Sequence, residues 1–188
     1  MATLLPDDIQ LPVHVDKEPL AGGGIASAVL SKPGRQYRYL LTRIWDRSVT
    51  PMVFVMLNPS TADAMVDDPT IRRCMGFARR EEAGGLVVAN LFALRSTNPR
   101  VLQFHSHPTG GATNDAFIRQ AAGMSPLVVA AWGAAGVLHD RGMEVTGMLR
   151  DGGVRLRCLG TTSTGQPRHP LYLPGAAQIV DYVPEGSS

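Results

Sequence analysis

Apolar runs of strand length alternate with segments of helical period along most of the chain, and clusters of Gly and Pro separate them. Residues 52–57 are apolar without interruption, and 86–91 are so except for Asn90. Continuous apolarity of this length is what a strand covered on both faces requires. Residues 127–132 and 154–159 read as two further strands. Residues 37–45 instead alternate aromatic or aliphatic side chains with Arg38 and Arg43, the pattern of a half-exposed strand. Asp68 followed by Pro69 marks a helix start, with an N-cap acid and proline at the first helical position. Ile71, Cys74, Met75 and Ala78 then recur at helical spacing, and Gly84-Gly85 predicts the end of that helix. Further helices are predicted over 114–123 and, after the junction Gly133-Ala-Ala-Gly136, to about Arg150.

Residues 1–34 hold Pro6, Pro12, Pro19, three consecutive glycines and Pro33-Gly34, which predicts an extended arm with one short strand. Residues 35–183 follow as one α/β domain, and 184–188 as a flexible tail. Within that domain 160–174 is turn-rich, and 178–183 reads as a last strand or a helical turn. Strands alternating with helices predict an α/β fold, a three-layer α/β/α arrangement with a mostly parallel central sheet.

Composition narrows the class without assigning chemistry. The 188 residues are 44% hydrophobic and 18% charged, enough to bury a core and too apolar for wholesale disorder. Two cysteines, Cys74 and Cys158, provide neither a disulfide framework nor a cysteine zinc site, and suggest a reducing, cytoplasmic setting. The first residues lack the basic and apolar regions of a secretory signal, and no run reaches the roughly 18 apolar residues of a spanning helix. No membrane partner is expected. A net charge of +2 permits a nucleic-acid or nucleotide partner without requiring one.

The chemistry-bearing residues follow the strands. In a parallel sheet the carboxyl ends of strands share one edge, and ligands of open α/β sheets bind in the crevice outside it. Asn58-Pro59-Ser60-Thr61-Ala62-Asp63 follows the first buried strand, Asn90 and then Arg95 the second, Trp132-Gly133 the third, and His169-Pro170-Leu171-Tyr172 the fourth. Asn58 reads either as an Asn-Pro turn or as an amide whose carbonyl holds a water. Asp63, Asp67 and Asp68 are available carboxylates if their loop folds back, Asp68 also being a helix cap. Asn90, inside an apolar strand, needs a partner, either a neighbouring loop or the donor and acceptor edge of a nucleobase. His169 is either a solvated loop histidine or a donor to a leaving group that gains negative charge.

Gly133 and Gly136 let a ligand approach the backbone, although the Lys-Ser/Thr of a P-loop and the GxGxxG pattern are absent. Trp132 is core or a stacking surface for a planar ligand. Arg72, Arg73, Arg79 and Arg80 share a helix face that is either solvated or set against phosphates. Ser60 and Arg95 join Arg72 and Arg73 as candidate phosphate contacts. His105 and His107 form a His-x-His pair with no further ligand at metal spacing, so neither a metal nor another cofactor is expected. His14 and His139 read as surface residues. A serine hydrolase built on Ser60, His169 and an aspartate lacks the GxSxG elbow.

The runs from Leu57 to Asp63, Asp68 to Cys74 and Asn90 to Arg95, with Trp132-Gly133 and His169 to Leu173, resemble a bacterial and phage family of unknown function, DUF1643. The likeness spans about residues 35–174. More distantly, the same order is similar to the uracil-DNA glycosylase superfamily, in its mismatch-specific branch. That resemblance implies the fold of those enzymes, with Asn58 positioning the attacking water and Asn90 reading the flipped base. It further implies that His169 stabilises the departing base anion, Leu171 or Tyr172 acts as a wedge, and Phe77 or Phe92 stacks on the base. Leu57 stands where a glycine commonly precedes the Asn, and Leu171 where the late motif commonly has serine. The expected function is that of a glycosylase-like domain that binds a nucleobase and hydrolyses an N-glycosidic bond in DNA or a nucleotide. The alternative is a non-catalytic module for a nucleotide or modified base.

Overall fold

A computed structural model of the chain describes residues 13–184 apart from 21, 61 and 63–65. Asp63, most of the proposed tail and the start of the proposed arm lie outside the described residues. The strands are β1 (Val13–Pro19), β2 (Ile25–Ser31), β3 (Arg38–Ile44), β4 (Met52–Met56), β5 (Gly85–Asn90), β6 (Val128–Ala130), β7 (Leu156–Cys158) and β8 (Val180–Asp181). The helices are α1 (Pro69–Arg80), α2 (Gly111–Gly123) and α3 (Arg141–Asp151). Among the described residues the strands make one sheet in the order β1-β2-β3-β5-β4-β6-β7-β8.

The sheet is mixed, which corrects the mostly parallel expectation. β5, β4, β6 and β7 run parallel, whereas β1-β2-β3-β5 and the β7-β8 pair are antiparallel. The connections account for both halves. Short turns join β1 to β2 and β2 to β3, and such turns permit only antiparallel neighbours. Helices α1, α2 and α3 each separate two strands of the parallel set, giving the long crossover that parallel pairing needs. Residues 13–31, part of the stretch read as an arm with one short strand, thus supply two full strands.

Strand β3 also departs from expectation. Placed between β2 and β5 it is buried on both faces, and Arg38 and Arg43 are buried with it. Their guanidinium groups are held internally, since Arg43 pairs with Asp67 at 2.7 Å and Arg38 donates to the carbonyl of Ala62 at 2.5 Å. A charged side chain is tolerated inside when it is paired and hydrogen-bonded. The alternation that predicts a half-exposed strand here places both arginines inside the sheet's two layers of packing.

Alternate residues of β4 enter different cores. Val53 and Val55 pack with Phe117, Ile118, Val145 and Leu149 of α2 and α3. Met52, Phe54 and Met56 pack with Ile71, Cys74, Phe77 and Ala78 of α1. The spacing that predicted α1 is the spacing of its buried face, and Asp68 caps it by accepting from the Ile71 N–H at 2.8 Å. The helix ends four residues before the expected glycines. Glu82 takes a left-handed conformation (φ 55°), and the Ala83 N–H donates to the Ala78 carbonyl, which closes the last turn. The helix predicted after Gly136 to about Arg150 begins only at Arg141. A 3-10 segment Ala134–Asp140 kinks at Leu138 and His139 before α3 begins.

Candidate active site

The parallel strands end along one edge, where a cleft of about 530 Å³ opens. Met56 at the end of β4 lies in register with Asn90 at the end of β5, so the Asn58 loop and Asn90 are brought side by side. The cleft collects Asn58, Ser60, Asn90, Trp132, Gly133, His169 and Tyr172, residues that span more than a hundred positions of sequence. Phe77 and Phe92 do not line it. Phe77 fills the α1 core and Phe92 the α2–α3 core, with its ring edge-on to His139 at 6.1 Å. Arg72, Arg73 and Leu171 lie in a neighbouring groove, and Arg95 is also outside the cleft.

Asn58 has its amide orientation settled by the loop around it. Nδ2 donates to the carbonyls of Ser96 at 2.9 Å, Pro59 at 3.1 Å and Leu94 at 3.5 Å. Oδ1 accepts no hydrogen bond among the described residues, and remains as an acceptor at the cleft wall.

Asn90 is 1% exposed, and its Nδ2 has no hydrogen-bond partner among the described residues. Leaving such a donor unmatched costs about 1–3 kcal/mol. Its backbone, by contrast, is tied down. Asn114 of α2 donates from Nδ2 to the Asn90 carbonyl at 2.9 Å and to the Leu91 carbonyl at 3.2 Å. Arg141 of α3 adds a bond from Nε to the Leu91 carbonyl at 3.0 Å. The end of β5 is therefore clamped while the Asn90 amide is left to the cleft.

His169 is oriented by its own turn. The Leu171 N–H donates to Nδ1 at 3.3 Å, so the neutral ring carries its proton on Nε2 and presents a donor there. Burial lowers the His169 pKa, and the nearby Asp68 carboxylate partly opposes this. The ring thus stays neutral at pH 7. Its plane tilts against exposed Tyr172 at 5.6 Å between centroids.

Trp132 is almost wholly buried, donates from Nε1 to the Gln166 side chain at 3.0 Å and meets Tyr182 edge-on at 5.7 Å. Gly136 makes room for it, since a Cβ there would lie 1.9 Å from Trp132 Cδ1. Gly133, at φ 74°, donates its N–H to the Pro167 carbonyl at 2.8 Å and so draws the His169 loop onto the end of β6.

Asp68 caps α1 and faces the cleft at once. One oxygen accepts from the Ile71 N–H, and the other from the Ser60 hydroxyl. Ser60 is consequently bonded to a carboxylate and not to the imidazole, which removes the nucleophile–base contact that a serine hydrolase needs. Asp67 is drawn away to Arg43.

Sequence reasoning missed Arg38 and Arg168, both of which line the cleft. Arg38 was masked by its strand-like alternation. Arg168, exposed and beside the His-Pro motif, makes no side-chain hydrogen bond or ion pair among the described residues, and its adjacency to His169 was the available signal.

Among the described residues no three His, Cys, Asp or Glu side chains gather as a metal would require. His105 spends both ring nitrogens on Gln36 and on the His107 N–H. No helix among the described residues is long and apolar enough to cross a membrane.

No curated protein matches the chain. The model of one family, described as a protein of unknown function (DUF1643), matches residues 38–171, from the start of β3 through the His169 turn. That span takes in the Asn58 loop, the clamped end of β5, Trp132-Gly133 and His169, and the chain belongs to the DUF1643 family.

Proposed function

We propose that the cleft binds a nucleobase and that the protein hydrolyses an N-glycosidic bond in DNA or a nucleotide, with a three-layer arrangement related to that of the uracil-DNA glycosylases. The observation that carries this is the buried Asn90 amide, clamped through its backbone and unmatched at Nδ2 on the cleft wall. Such a donor suits the carbonyl or ring-nitrogen edge of a base.

The chemistry divides among three side chains. Asn58 Oδ1 accepts a hydrogen bond from the attacking water and aims its oxygen at the sugar C1′. As the C1′–N bond breaks, its electron pair passes to the departing base, and the sugar becomes oxocarbenium-like. His169 donates from Nε2–H to the base oxygen on which that negative charge settles. The water oxygen then bonds to C1′, and its proton leaves to solvent or to the base. Asp68, a fixed carboxylate on the same wall, favours the positive sugar electrostatically. Gly133, with no side chain, leaves the wall after β6 open for the base to lie against.

One observation supports the non-catalytic alternative. Asp68 is the only carboxylate lining the cleft among the described residues, and both its oxygens already accept bonds, so the water is left to a neutral amide.

The test is a panel of single-stranded and duplex oligonucleotides carrying uracil or other altered bases, together with free nucleotides, assayed for released base and abasic sites. Catalysis predicts release that falls about 100-fold or more in His169→Ala, the scale of losing one charge-stabilising donor, and that also falls in Asn58→Ala, which loses the acceptor that holds the water. Binding without release, lost in Asn90→Ala, would establish the module. Neither binding nor release by any base-containing ligand refutes both.

A further inference from the structure

Beside the cleft lies a second groove, of about 460 Å³. Arg72, Arg73 and Gly76 on the outer side of α1 form one wall, and Leu171 and Gly175 form the other. The far wall is held in place, because Arg80 donates to the carbonyls of Gly175 at 2.6 Å and Ala177 at 2.7 Å. The two depressions share their partition. The start of α1 gives Asp68 and Thr70 to the cleft and Arg72 and Arg73 to the groove, while the turn gives His169 and Tyr172 to the cleft and Leu171 to the groove.

The four arginines of α1 are not equivalent. Arg79 lies over the Trp45 ring at 4.6 Å, and Arg80 bridges to the far wall and to Glu81. Both are accounted for by packing. Arg72 donates only to the Asp67 carbonyl, and the Arg73 side chain makes no hydrogen bond or ion pair among the described residues. No acid lines the groove among those residues, so two guanidinium groups stand in it without a carboxylate to neutralise them. A Cβ at Gly76 would meet nothing within 4 Å, which leaves the floor open to a ligand. Paired guanidinium forks match the tetrahedral oxygens of phosphate, and a site that lacks carboxylates favours an anion.

We propose that this groove is a phosphate site, with Arg72 and Arg73 as its ligands. It stands on its own residues. Where the nucleobase assignment also holds, the phosphate belongs to the same ligand, passing over the turn that separates the two depressions. The phosphate is then either the diester of a strand or the monoester of a nucleotide.

The experiment uses the full chain, a fluorescein-labelled single strand of mixed sequence about 12 nucleotides long, and a nucleoside monophosphate as competitor. Two phosphate contacts predict that Arg72→Gln with Arg73→Gln weakens strand binding at least tenfold at low salt. The double variant also lowers the slope of log K against log salt by about 1.4, at roughly 0.7 per contact on a single strand. Weakened strand binding with unchanged monophosphate competition identifies the diester, and weakened competition identifies the monoester; either supports the site. An equal loss of affinity in Arg79→Gln, a charge change on the same helix outside the groove, overturns it. So does undiminished binding in the double variant, or no binding of any phosphate ligand by the wild-type chain. Asn90→Ala separates the two assignments. If it alone abolishes binding the groove fails and the base site stands, and if only the arginine variants act the reverse holds.

Discussion

Replacing Asn90 by leucine should stabilise the protein while destroying its ligand site. The side chain is buried, its Nδ2 has no partner among the described residues, and the tethering bonds at this position run to the backbone carbonyl. The substitution therefore removes an unmatched donor without breaking a hydrogen bond. The recovered cost is about 1–3 kcal/mol. The extra leucine volume offsets about 1 kcal/mol of this, because the residue borders open cleft on one side and packed core on the other. A net gain of about 1 kcal/mol follows, which for a chain of this size raises Tm by about 2–4 °C. Urea unfolding at 25 °C measures the free energy, and titration with nucleobases or short oligonucleotides measures the site. Such an exchange of stability for function is expected where a polar group is held ready for a ligand. A variant at least 1 kcal/mol less stable than wild type, or one that binds ligand as before, would refute the reasoning. The Asn90 amide would then be structurally satisfied and no ligand would be needed to explain it.

Gly136→Ala places a Cβ 1.9 Å from Trp132 Cδ1, so the indole must shift and its bond to Gln166 must break. A loss of about 1–3 kcal/mol, with altered tryptophan fluorescence, should appear in thermal and spectroscopic unfolding. Asn114→Ala removes both bonds to the end of β5, while the Oδ1 lost with them has no partner among the described residues, for a net loss of about 1–2 kcal/mol in urea together with weaker ligand binding. His169 has its folded-state pKa below the ordinary 6.5, largely through burial, so below that pH the unfolded chain takes up the proton first. Stability should fall as pH drops from 6.5 and level off once the folded-state pKa is passed. His169→Gln should flatten that part of the pH profile, and an unchanged profile would show that the ring titrates normally.

The strand and helix segments were legible because their causes are local. The apolar runs at β4 and β5, the Asp68 cap with Pro69 and the buried stripe of α1 are each written within a dozen consecutive residues. Asn58, Asn90 and His169 stood out for a similar reason, as polar residues following strands. The direction of the strands was less legible, since it depends on which of them pair at long range. Residues 13–31 join the sheet as antiparallel strands because short turns return the chain beside itself, and that pairing carries no strong local pattern.

Much of the candidate site also came from tertiary structure. Phe77 and Phe92 face the cores instead of the cleft because helix and strand geometry, not residue type, decides which way a ring points. Arg38 lines the cleft because its strand lies in the interior of the sheet, where an alternating charge is buried and bonded instead of solvated. The sequence alone determined β4, β5, the capped helix α1 and the polar residues that follow the strands, since these follow from neighbours along the chain. Which of those residues meet, and which atoms stay unmatched when they do, was decided only by folding, because burial and hydrogen-bond partners come from segments far apart in sequence.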